Sequence, residues 1–144
     1  MNKPVKKVTS QVLLKTIKPL LENNQSVRIK VSGTSMRPFL KDQITHVMIS
    51  PITAPLKKHQ ILLYETKESN LILHRLIKVN KSLILCGDAL LNNEVVPQKA
   101  ILGVVTRIEH NDKQINIDSK IYHFKVTLWI ILKPIRKYLL KLVK

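Results

Sequence analysis

Short apolar runs and alternating stretches, bounded by polar turns, fill the middle of the chain, and at both ends that pattern gives way to helical spacing. Between Ser10 and Glu22 the inner positions Val12, Leu13, Thr16, Ile17, Leu20 and Leu21 share one side of a helix. Thr9 or Ser10 supplies a capping hydroxyl, Asn23-Asn24 ends the element, and Pro19 is expected to kink or shorten it. From there the period drops to two. Strands are predicted over 26–31, 44–49, 59–64, 71–79, 82–86, 101–110 and 114–117. Asn80-Lys81 and Asn111-Asp112-Lys113 read as hairpin turns, and Pro51 and Pro55 mark a loop. In the strand over 71–79, Leu71, Leu73, Arg75 and Ile77 take one face; Ile72, His74, Leu76 and Lys78 take the other. Many short strands joined by polar turns imply a mainly β domain, a sandwich or partly open barrel.

The segment 119–144 breaks the pattern. Ile121, Phe124, Leu128, Ile131, Ile135, Tyr138 and Leu142 recur on three- and four-residue steps, one apolar stripe on a helix. Lys125, Lys133, Arg136, Lys137, Lys141 and Lys144 accompany it with no acidic residue. Ser119 can cap its start and Pro134 is expected to bend its middle. A strand through Tyr122, Phe124, Val126 and Leu128 competes over the first half, but the stripe runs the full length and favours a helix. Two roles stay open. The stripe can lie in a lipid interface, with lysines over anionic headgroups and Trp129 at the boundary; truncation after Ser119 would then remove lipid binding and spare folding. Alternatively it packs on the domain's own sheet and the lysines are solvated. The chain thus divides into an N-terminal helical segment (1–24), a β domain (25–118) and a basic amphipathic tail (119–144).

Charge narrows the partners. Lys and Arg number 25 against 9 acidic residues, a net charge of +16 over 144 residues, which calls for an acidic partner such as a membrane surface. Nucleic acid is disfavoured, because the few aromatic residues are not interleaved with the basic ones and no binding motif stands out. The single cysteine, Cys86, excludes an internal disulfide, points to a reducing, cytoplasmic setting, and reads as a small core residue in an apolar run. After Lys3, Lys6 and Lys7 the N-terminal stretch is interrupted by Lys15 and Lys18, unlike a signal peptide. No run reaches the roughly 20 apolar residues of a spanning helix. A peripheral position on the inner face of a membrane is compatible with both features.

The stretch with chemistry is Val31-Ser32-Gly33-Thr34-Ser35-Met36-Arg37-Pro38-Phe39-Leu40. Gly33 allows a sharp bend that leaves amide N–H groups beside Ser35, and Pro38 stiffens the exit. A rigid turn carrying a hydroxyl beside unpaired N–H groups suits acyl transfer, which needs a nucleophile and donors for an oxyanion. Ser-Gly-Thr-Ser-Met-Arg-Pro resembles the Gly-x-Ser-Met-x-Pro nucleophile box of the signal peptidase and LexA-type serine peptidase superfamily. Leu73-His74-Arg75-Leu76 and Cys86-Gly87-Asp88-Ala89 follow in that family's order. They resemble the His-Arg and Gly-Asp boxes of the histidine-using branch, found in archaeal and endoplasmic-reticulum signal peptidases. The sequence departs from the family in lacking a membrane anchor, and in having His59-Gln60 where members usually have Gly-Asp, which leaves that turn's geometry open.

The resemblance implies a serine endopeptidase acting on an extended leader or precursor peptide, with Ser35 as nucleophile, His74 as base and Asp88 orienting the imidazole. Gly33, Thr34, Met36 and Arg75 would supply oxyanion or substrate contacts, Arg75 being as readily a structural support. Lys78, on the face of His74, is a minor alternative base. Asp88 could instead serve turn chemistry beside Gly87. His46, His59, His110 and His123 lack metal-ligand spacing, so neither metal nor cofactor is expected. The rival class is a non-catalytic module that grips a peptide or partner on the same sheet. A self-cleaving repressor is disfavoured, since the N-terminal segment has no room for a separate DNA-binding domain.

Overall fold

The structure, a computed structural model, describes residues 10–143. Ser10–Glu22 form helix α1, which buries Ile17 and Leu21. Thr9, the alternative cap, lies outside the described residues. Seven antiparallel strands follow in the sheet order β1-β2-β7-β3-β4-β5-β6, and an eighth, β8, pairs with β7. They are β1 (Val27–Lys30), β2 (Thr45–Ser50), β3 (Ile61–Glu65), β4 (Leu71–Val79), β5 (Leu83–Cys86), β6 (Glu94–Val96), β7 (Ile101–His110) and β8 (Lys113–Ile115). The fold is therefore mainly β, as expected, built as an open sheet; β1 and β6 end it without pairing to one another.

Register explains the two-sided core. In β3 every position from Ile61 to Tyr64 is buried, because the sheet has covered surfaces on both sides. Ile61 and Leu63 pack with Ile17 and Leu21 of α1 and with Val47, Ile49, Val105 and Ile108, whereas Leu62 and Tyr64 join Leu76, Leu83, Leu85, Val96 and Ile101. β4 divides the same way: Leu71 and Leu73 pack against the first cluster, Ile72 and Leu76 belong with the second. β7 is the longest strand and the hinge of the arrangement. It carries β2 along one edge and β3 then β8 along the other. Asn111 and Asp112 connect β7 to β8 with φ of 46° and 63°, the left-handed pair that a tight hairpin demands.

The turn at His59-Gln60 closes without glycine. His59 adopts φ of 75°, its N–H donates to Leu76 O at 2.7 Å, and Gln60 Oε1 accepts from Lys57 N–H at 2.8 Å. Gln60 thus does the side-chain turn work of an aspartate, while His59 bears left-handed strain worth roughly 1–2 kcal/mol. His59→Gly is expected to raise stability by about 0.5–1 kcal/mol once glycine's extra unfolded-state freedom is subtracted. His59→Val should lower it, both read as shifts of the thermal midpoint.

The C-terminal segment is helical but divided. α2 (Lys120–Ile131) starts with Ser119 Oγ accepting from Tyr122 N–H, and α3 (Arg136–Leu142) follows a turn containing Pro134. Val126 and Arg136 are buried against the β domain, and Trp129 Nε1 donates to Asp88 O at 2.7 Å. The segment is thus integrated through a face other than the apolar stripe, whose residues are exposed. Truncation after Ser119 would remove these buried contacts, so sparing the fold is no longer the expectation. Among the described residues no helix is long and apolar enough to cross a membrane.

Candidate active site

The nucleophile turn is pinned at both ends. Val31 N–H donates to Thr45 O and Gln43 N–H to Val31 O, at 2.8 and 2.9 Å. Buried Met36 and Leu40 hold the far side in the core, joined by Leu40 N–H to Met36 O at 2.9 Å. Gly33 has φ of +98° with open space where a Cβ would stand, so dihedral freedom and not room is what glycine supplies. Its N–H donates to Asp42 Oδ1 at 2.8 Å. That bond removes Gly33 from the oxyanion donors suggested by the sequence. Met36 likewise belongs to the core by its side chain, although it borders the cleft. The N–H groups of Thr34, Ser35 and Met36 donate to nothing among the described residues, and of these Ser35 and Met36 line the cleft. Thr34 is exposed and does not line the cleft, and the Arg37–Pro38 bond is cis.

The Gly87-Asp88 loop buttresses this turn from behind. Ala89 N–H donates to Ser35 O at 2.8 Å, and a Cβ on Gly87 would stand 2.7 Å from the same oxygen. Glycine is required there by proximity. Asp88 is engaged by Arg75: Oδ1 accepts from Arg75 Nε and Oδ2 from Arg75 Nη2, each at 2.8 Å, with both side chains buried. Arg75 also donates to His59 O and stacks over Phe39. Burial opposes its charge, but the adjacent carboxylate outweighs that and raises the guanidinium pKa above its ordinary value. No hydrogen bond joins Asp88 to His74 among the described residues. The hydrogen bond by which Asp88 was expected to orient the imidazole is thus replaced by the Arg75 pair, while its charge still favours the imidazolium; Arg75 is fully buried and bonded within the domain.

His74 has other partners. Its Nδ1 lies 3.1 Å from Tyr64 Oη and 3.3 Å from Glu94 Oε2. Tyr64 O–H donates to Glu94, so the phenol oxygen has lone pairs to accept from His74 Nδ1–H. That chain of donors places the imidazole proton on Nδ1 and leaves Nε2 as the basic nitrogen. Burial lowers the pKa of His74, and the charges of Glu94 and, less strongly, Asp88 partly offset the effect; burial, then Glu94, raise that of Tyr64. Glu94 escaped the sequence reading because β6 is only three residues long and shows no periodicity. The β-branched pair Val95-Val96 after Asn92-Asn93 was its one local signal.

Ser35 and His74 line one cleft of about 630 Å³, with Glu94 at its wall. No hydrogen bond joins the serine hydroxyl to the imidazole among the described residues. Lys78 is exposed, does not line the cleft, and follows a bulge after Leu76. Two unpaired backbone edges border the space. Among the described residues β1 pairs only with β2. β5 covers β4 only from Arg75 onward, which leaves Leu71 to His74 with β3 on one side and, among the described residues, no strand on the other. Ile29, Lys30 and Val31 of the first edge and Leu71, Ile72 and Leu73 of the second all line the cleft. Among the described residues no three His, Cys, Asp or Glu side chains are grouped to hold a metal ion. No protein-family model matches the chain, and a search of curated proteins likewise gives no match.

Proposed function

We propose that the protein is a serine endopeptidase whose nucleophile is Ser35 and whose base is His74, acting on a peptide held in extended form. The observation that carries the reading is the convergence of these two side chains, 39 positions apart in sequence, on one cleft bordered by unpaired strand edges. An extended peptide entering between β1 and β4 gains main-chain hydrogen bonds on both sides, as strand addition requires. Ser35 Oγ attacks the scissile carbonyl and its proton passes to His74 Nε2, then to the leaving amine; water releases the acyl group by the reverse sequence. The free N–H groups at Ser35 and Met36 face the developing oxyanion. Catalytic hydrogen bonds in unliganded enzymes are commonly long, so closure of Ser35 on His74 belongs to the substrate-bound state. The peptide-holding alternative uses the same edges and draws on the missing Ser35–His74 bond. A fluorophosphonate probe separates them: catalysis requires labelling mapped to Ser35, and an unlabelled wild type leaves only the binding module.

Glu94 and Tyr64 are positioning residues in this reading, holding the Nδ1–H tautomer and stabilising the imidazolium. The base works when neutral, so a pKa lowered by burial extends activity below the ordinary imidazole value of 6.5. Glu94→Gln removes the charge that opposes this lowering. The acidic limb of the kcat/KM profile should therefore move further down in pH while the plateau rate falls roughly 10²-fold. A variant with an unmoved limb would return Glu94 to a structural role.

A further inference from the structure

We propose that the outer face of α2 and α3 docks the protein onto an anionic lipid bilayer. On α2, Ile121, Phe124, Leu128 and Ile131 are 69%, 67%, 44% and 68% exposed. Ile135, Tyr138 and Leu142 continue the exposed series through α3 at the same three- and four-residue spacing. A helix normally hides its apolar stripe in the core. Here the core-facing side is a different one, formed by Tyr122, Val126, Trp129 and Arg136. The stripe is thus surplus to folding, and a contiguous apolar face of this kind marks an interaction surface.

Charge complementarity selects the partner. By the 100° step of the helix, Lys120 and Lys125 flank the stripe on α2, and Lys137 and Lys141 lie beside it on α3. From Ser119 to Lys144 there is no aspartate or glutamate. An apolar face bordered by ammonium groups matches an anionic interface, where acyl chains accept the side chains and headgroups meet the lysines. A nucleic acid would meet the lysines but leave Ile121, Phe124 and Ile131 in water. A second copy of this chain would bring lysines against lysines.

The test is co-sedimentation of the full chain with vesicles of phosphatidylcholine alone or with 30 mol% phosphatidylglycerol (a fraction on the order of natural anionic surfaces). Wild type should bind the anionic vesicles at least about 10-fold more tightly than the neutral ones, and added salt should weaken that binding. Phe124→Glu/Ile131→Glu should lose at least about 10-fold of the affinity, and Lys125→Gln/Lys137→Gln/Lys141→Gln a comparable amount. These positions are exposed, so circular dichroism should be unchanged; if one variant misfolds, the other set carries the test. Equal binding to both vesicle types overturns the proposal, as does full affinity in the Phe124/Ile131 variant. So would wild type that ignores vesicles but self-associates through the stripe, or that binds a DNA duplex in a manner only the lysine variant abolishes.

Discussion

Ser35→Ala is expected to reduce cleavage of a susceptible extended peptide by at least about 10³-fold, and His74→Ala by a similar factor. The hydroxyl and the imidazole act as one unit, so the double substitution should be scarcely worse than either alone. Both side chains border an open cleft, and neither belongs to an apolar core cluster, so the Ser35→Ala protein should unfold within about 1 kcal/mol of wild type. Measured peptide cleavage with unfolding curves on the same samples checks this. Additive losses, or an undiminished rate in the serine variant, would remove the proposed peptidase chemistry. The strand-addition cleft would then stand only as a peptide-holding surface.

Asp88→Ala should behave in the opposite way, with its largest effect on stability. The carboxylate is 2% exposed and its arginine partner 0%, so removing it strands a guanidinium in the interior. Breaking one side of such a buried pair costs about 3–5 kcal/mol, a large share of the 5–15 kcal/mol that holds a domain folded. Denaturant unfolding should report a fall of that order. The joint replacement Arg75→Met/Asp88→Leu should recover part of it, since no uncompensated charge remains. If Asp88→Ala instead unfolds like wild type while losing all cleavage, the acid acts on His74 after all, and the structural role drawn from the Arg75 pairing is wrong.

The longer strands were legible because their signal is long. β4 and β7 fall on the predicted bounds, each carrying nine or ten residues of sustained pattern. The short ones shifted by a residue or two, and β6 was missed, with a direct effect on the site. Glu94 was invisible without that strand, so the only partner offered for His74 was Asp88, which the resemblance to the Gly-Asp box supplied. A register argument could have warned against this. His74 and Arg75 are successive strand residues with opposite faces, and Arg75 sits opposite Cys86, which delivers the next two residues to the arginine. Gly33 shows a related gap: its bend was readable, but the Asp42 carboxylate that takes its N–H comes from a loop nine residues on. For the tail, periodicity identified the apolar stripe correctly and could not say which way it faces. That depends on a second face, Val126 with Arg136, whose arginine reads as a surface residue in the sequence.

The placement of Trp129 equips the molecule with an optical reporter. It is the single tryptophan of the chain, and its indole N–H is tied to the Asp88 carbonyl, one residue before the amide that grips Ser35. Any ligand that tightens or loosens that loop alters the hydrogen bond of the lone indole, so emission wavelength becomes a readout of cleft occupancy without labelling.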